Sequence, residues 1–162
     1  MDRLWSPWRY QYISKTDEAP GCIFCVKPAE NRDSENYIVH RGASCFVLLN
    51  LYPYTSGHLM VAPYAHVATL EDAAEAAVLE MMRLTRAAEG HIRRVYRPEG
   101  LNIGMNIGRW AGAGVAGHIH MHVLPRWAGD ANFMTTVGET RVLPEDLNTT
   151  YEKLRGAFLE GR

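Results

Sequence analysis

The chain reads as an α+β protein built on a largely antiparallel sheet, and three observations predict this. Short apolar strands come in a run, one long amphipathic helix follows, and a second run of strands comes after it. The strands before the helix are separated by runs of turn residues. A final Pro144-Glu145-Asp146 start opens a C-terminal helix through about Leu159.

In chain order, the first 34 residues read as an irregular arm. Trp5-Ser6-Pro7-Trp8-Arg9-Tyr10 is aromatic and basic, residues 16–21 are polar and turn-rich, and the arm is expected to wrap the domain. Strands are expected over 37–40, 45–49 and 58–62, with turns at 41–44 and 52–57. Ala74, Ala77, Val78, Met81, Thr85, Ala88, Ile92 and Val95 recur at helical spacing and set a helix over 71 to about 96. Thr69 with Asp72 resembles a capping box at its start, and Pro98-Glu99-Gly100 ends it. Strands over 101–107 and 118–124 flank a glycine-rich loop. The expected organisation is one domain over 1–162, with the arm at 1–34, a core at 35–127 and an extension at 128–162.

Composition narrows the function. At 162 residues and 47% hydrophobic, the chain can bury a sizeable core. A net charge of −1 lacks the positive field of a non-specific nucleic-acid binder. No apolar run reaches the length of a membrane span, and Met1-Asp2-Arg3-Leu4 does not open a signal peptide. Three cysteines, an odd number, argue against a disulfide framework and for a reducing compartment. A soluble cytoplasmic protein is the expectation.

The informative stretch is Gly117-His118-Ile119-His120-Met121-His122-Val123-Leu124-Pro125-Arg126-Trp127. Side chains alternate across a strand, so the three histidines share one face while Ile119, Met121 and Val123 face a core. Such a row is either a metal site or a site for phosphate or proton transfer. Gly108, Gly112, Gly114 and Gly117 precede it in one loop, where consecutive N–H groups can form an anion nest. A neutral imidazole can attack phosphorus and divide one displacement into two easier steps. Elsewhere, Cys22-Ile23-Phe24-Cys25 has no βαβ context for redox work and reads as half of a zinc site needing two more ligands.

The run His118-Ile119-His120-Met121-His122-Val123-Leu124-Pro125-Arg126 resembles the signature of the histidine triad (HIT) family of nucleotidyl hydrolases and transferases. Residues 50–63, Asn-Leu-Tyr-Pro-Tyr-Thr-Ser-Gly-His-Leu-Met-Val-Ala-Pro, resemble its strand-loop-strand, and order and spacing agree from about Cys22 to Trp127. The resemblance implies His120 as the nucleotidylated nucleophile, His122 at the α-phosphate and His58 nearby in the pocket. It implies Asn50 on the ribose, Leu48 and Leu51 beside the base, and Asn106 with the backbone of Gly112, Gly114 and Val115 on phosphate oxygens. It also implies a structural zinc on Cys22, Cys25, His66 and His118, and a homodimer or higher homo-oligomer.

Hydrolytic members carry a glutamine four residues before the first triad histidine, where this chain has Gly114. Residues 4–10 and 125–134 are similar to the bacterial diadenosine tetraphosphate phosphorylase branch. That similarity implies a dinucleoside polyphosphate substrate with inorganic phosphate as acceptor, giving ADP and ATP, with Arg126 and Asn132 near the polyphosphate. A nucleotide hydrolase is the alternative, and a non-enzymatic nucleotide-binding protein the remoter one.

Overall fold

The computed structural model describes residues 21–131, 135, 137 and 143–161. Its elements are α1 (Ile23–Ala29), α2 (Asp33–Asn36), β1 (Ile38–Arg41), β2 (Cys45–Leu49), β3 (Leu59–Pro63), α3 (Glu75–Tyr96), β4 (Gly100–Gly104), β5 (Met121–Arg126) and α4 (Leu147–Glu160). The five strands form one sheet in the order β1-β2-β3-β5-β4, and every neighbouring pair is antiparallel. The α+β reading therefore holds.

Both faces of the central strands are covered, which is why β2 and β3 are uniformly apolar. On one face Val47, Leu49, Leu59, Val61, Met121 and Val123 pack with Met81, Ala88 and Ile92 of α3 and with Leu154 and Phe158 of α4. On the other, Phe46, Leu48, Met60 and Ala62 pack against Phe24 of α1. Burying one such side chain contributes about 1.5–3 kcal/mol, so the two clusters dominate the stability of the fold. Polar groups fix the seams. Glu80 on α3 accepts from the backbone N–H groups of Ala43, Ser44 and Cys45, holding the β1–β2 turn. Asp146 caps α4 by accepting from Asn148 and Thr149 N–H, a contact worth about 1 kcal/mol. Cys45 is core, its thiol donating to the Ala77 carbonyl and its pKa pushed up to about 12 by burial.

Four boundaries differ from the sequence reading. Residues 23–29 are helical rather than irregular, because Phe24 and Pro28 bury against the sheet and the Cys22 carbonyl accepts from Cys25 and Val26 N–H. The Trp5–Tyr10 run lies outside the described residues. The long helix begins at Glu75, since Thr69 and Asp72 bond to each other in a separate turn before it. β4 ends at Gly104, and residues 105–107 lead into the loop. β5 begins at Met121, because its neighbour β3 ends in Pro63, which has no N–H. The Ile119 N–H donates instead to the Val67 carbonyl. Among the described residues, no helix is long and apolar enough to cross a membrane.

Candidate active site and metal centre

The register of the sheet assembles the reactive row. Met60 pairs with His122, so His58 lies diagonally from His122 on the same face, within reach of a ring–ring contact. The His58 Nε2 and His122 Nδ1 atoms are 2.9 Å apart, and the rings of His120 and His122 have centroids 4.8 Å apart. Although residues 118–120 precede the paired part of β5, the alternation continues through them. Ile119 joins the α3-side core, and His118 and His120 bury on the other side.

Hydrogen bonding fixes the tautomers. The Tyr54 N–H donates to His58 Nδ1, and Asn50 Nδ2 lies 3.3 Å from the same nitrogen. Neutral His58 therefore carries its proton on Nε2 and donates it to His122 Nδ1, which leaves the proton of neutral His122 on its Nε2. Burial, with His122 and His120 adding to it, holds the His58 pKa well below the ordinary histidine value. His120 donates from Nδ1 to the His118 carbonyl at 2.9 Å, so its lone pair lies on Nε2. Its pKa is lowered by burial, which opposes the small rise from that carbonyl. A neutral, oriented imidazole with Nε2 unprotonated is a competent nucleophile.

His118 is turned the other way. Its Nε2 donates to the Pro63 carbonyl at 2.9 Å, which puts the lone pair on Nδ1. That atom is 3.3 Å from the Cys22 sulfur and 3.6 Å from the Cys25 sulfur, and His66 Nδ1 is 3.4 Å from the Cys25 sulfur. The four ligand atoms all lie within 4.8 Å of one another. Zinc bond lengths of about 2.3 Å to sulfur and 2.05 Å to nitrogen give a tetrahedral sulfur–nitrogen edge of about 3.6 Å. The three sulfur–nitrogen separations of 3.3, 3.4 and 3.6 Å lie close to it. The backbone carbonyl on the far nitrogen of His118 is the outer partner that metal-binding histidines require. The donor set therefore fits zinc.

Other expected site residues land unevenly. Asn50 is buried, and its Oδ1 accepts from Tyr52 N–H, so it also shapes the turn after β2. Leu51 is exposed, and Leu48 is buried in the cluster that packs on Phe24. Asn106, Gly114 and Val115 are half-buried around the loop. The Gly112 N–H donates to the Arg109 carbonyl within a 3₁₀ turn, so it is not a phosphate donor here. Arg126 is bound to Asp130 and Asn102, and Asn132 lies outside the described residues.

Sequence reasoning missed Phe24 and Tyr54. Phe24, inside the Cys-x-x-Cys, packs on both His118 and His120, at centroid distances of 5.3 and 4.6 Å. Its only sequence signal is an aromatic between the two cysteines. Tyr54 packs on His58 and His122, at 4.9 and 6.2 Å.

The sequence profile of the HIT domain matches residues 31–129, across the pocket histidine and all three members of the row. The chain belongs to the HIT family. It is 41% identical over 157 residues to a Mycobacterium tuberculosis protein named AP-4-A phosphorylase, covering 93% of this chain and 80% of the relative. A zinc-bound histidine triad family protein from Mycobacterium smegmatis has the same fold, with a TM-score of 0.69 at 27% identity over 86% of this chain and 94% of that one. A hypothetical histidine triad nucleotide-binding protein from Sulfolobus tokodaii gives 0.68 at 28% identity, over 86% and 93% of the two chains. This HIT chain thus pairs a row of three histidines with a set of residues suited to zinc.

Proposed function

We propose that the chain is a nucleotidyltransferase that cleaves diadenosine tetraphosphate with inorganic phosphate to ADP and ATP. The observation that carries this is the orientation of His120, held at Nδ1 by the His118 carbonyl with its lone pair on Nε2. In the first step Nε2 attacks the α-phosphorus, the N–P bond forms, the α–β bridging P–O bond breaks and ATP leaves. In the second, a phosphate oxygen attacks the same phosphorus, the N–P bond breaks and ADP is released. His122 donates its Nε2 proton toward the reacting phosphate, and His58 keeps that tautomer in place. Asn50 and Leu51 contact the nucleoside, and Asn106 with the N–H groups of Gly114 and Val115 receives phosphate oxygens. The identity to the mycobacterial AP-4-A phosphorylase and the lack of a loop glutamine support phosphate over water as acceptor.

Zinc on Cys22, Cys25, His66 and His118 has a structural role in this reading. It ties α1 to the segment that carries His120 and supplies folding energy directly. The protein works as one domain in the reducing cytoplasm, where its three cysteines form no disulfide. A homo-oligomer is supported by the exposed Leu79 and Met82 on α3 and by Ile103 on the edge strand β4.

Incubating the protein with diadenosine tetraphosphate, with and without phosphate, tests the reaction. Phosphate-dependent formation of ADP and ATP is expected. Equal release of AMP and ATP in both tubes would overturn phosphorolysis in favour of hydrolysis.

A further inference from the structure

Trp110 stands apart from the other side chains around the histidine row. It is fully exposed, although tryptophan ordinarily buries most of its large apolar surface. The other tryptophan among the described residues, Trp127, packs edge-on against Tyr96. Nor does Trp110 hang on a slack loop. The N–H groups of Ala111 and Ala113 donate to the Gly108 carbonyl, and the Gly112 N–H to that of Arg109. Gly108 and Gly112 close this turn at φ of 84° and 87°, a region open to glycine and costly for other residues. Just beyond, Ala113 is buried and Val115 packs with the Phe24 cluster. The anchored turn therefore presents an aromatic ring to solvent with little backbone freedom left to lose on binding.

The sheet order says which part of a substrate comes near the ring. Across the site the strands run β2-β3-β5-β4. Asn50 follows β2, His58 precedes β3, and His122 lies on β5, paired with Gly104 at the end of β4. The loop that carries Trp110 leaves β4 from that pair, so it borders the row on the side away from Asn50. A nucleotide with its nucleoside at Asn50 and its α-phosphate at the histidines sends its remaining phosphates toward this loop. Asn106 and Gly114, which receive phosphate oxygens in that reading, stand four residues to either side of Trp110.

We propose that Trp110 stacks on the base of the departing half of a dinucleoside polyphosphate, and so favours substrates with an aromatic group at both ends. This rests on the reading of the chain as a dinucleoside polyphosphate enzyme. An indole face stacks on any base and does not read its hydrogen-bonding edge. The preference it creates is for an aromatic end group, whichever base that is.

Trp110→Ala and Trp110→Phe test it on two substrates, with ADP or AMP release as the readout so that the choice of acceptor does not matter. For diadenosine tetraphosphate, KM should rise about tenfold in Trp110→Ala and about twofold in Trp110→Phe, with kcat little changed. For adenosine tetraphosphate, which lacks the second base, neither substitution should move KM. Equal effects on the two substrates, or no effect on either, would overturn the proposal. So would a changed sedimentation coefficient in Trp110→Ala, because the ring would then serve a contact between chains. If the parent turns over neither substrate, the enzymatic reading fails, and calorimetry decides the stacking separately. Tighter binding of diadenosine tetraphosphate than of adenosine tetraphosphate, lost in Trp110→Ala, would keep Trp110 as a base platform, and equal binding of the two would overturn it.

Discussion

His118 and His120 are two residues apart, touch the same Phe24 ring and bury on the same side, yet they are prepared for opposite chemistry. His118 gives its Nε2 proton to the Pro63 carbonyl and offers Nδ1 to two thiols and a histidine. His120 gives its Nδ1 proton to the His118 carbonyl and keeps its lone pair on Nε2. Residue type and burial are alike, so neither makes the difference. A backbone carbonyl chooses the tautomer, and in the function proposed above the tautomer chooses between metal and phosphorus.

The largest expected effect breaks this comparison at the reactive end. His120→Ala should lower turnover of diadenosine tetraphosphate by at least about a thousandfold, since no neighbouring ring offers an equivalently placed lone pair. Its zinc content, measured by elemental analysis, should equal that of the parent. A variant that keeps full activity would remove His120 from the chemistry, and one that loses zinc as well would show that the two ends are not separable.

The complementary break is Cys22→Ser at the metal end. It should lose stoichiometric zinc and about 3 kcal/mol of stability, which for a domain of this size lowers the melting temperature by roughly 6–12 °C. Turnover below the melting transition should fall only several-fold, with an unchanged pH profile, because the tautomers of His120 and His122 are set elsewhere. A parent protein that is fully stable without zinc would refute the structural role.

What the sequence made legible follows from distance along the chain. The histidine row, the Cys-x-x-Cys and the long helix are local patterns with fixed periods, and all were readable. The helix at 23–29 was not, because Gly21 and Pro28 punctuate it and its burial depends on Phe24 meeting a sheet not yet formed. Nothing in the sequence sets Glu80 apart from the other charges of its helix, and only the fold brings three backbone N–H groups to it. The Tyr54 N–H that sets the His58 tautomer belongs to a turn whose shape no residue type announces. Site identity was thus local and site orientation tertiary.

The smallest effect asks whether burial with cationic neighbours, away from the histidine row, keeps a histidine neutral. His91 on α3 is buried against Phe158 of α4, with ring centroids 4.2 Å apart, and its Nδ1 accepts from Arg94. Burial, then Arg94 and His40, lower its pKa, as burial and neighbouring rings do for His58. Below pH 6.5 the unfolded chain takes up the proton before the folded one does. Stability is therefore full above that pH and falls as the pH drops toward the lowered folded value, by at most about 1.4 kcal/mol per pH unit for each such group. Urea midpoints at pH 8, 6.5 and 5.5 should decline in that order for the parent. His91→Gln cannot take the proton, so it should flatten part of the acid decline while leaving zinc content and turnover unchanged. If the variant follows the parent's curve, His91 is not among the groups that resist protonation. The acid sensitivity would then belong to the reactive row, and the contrast between its two ends would extend to stability as well as chemistry.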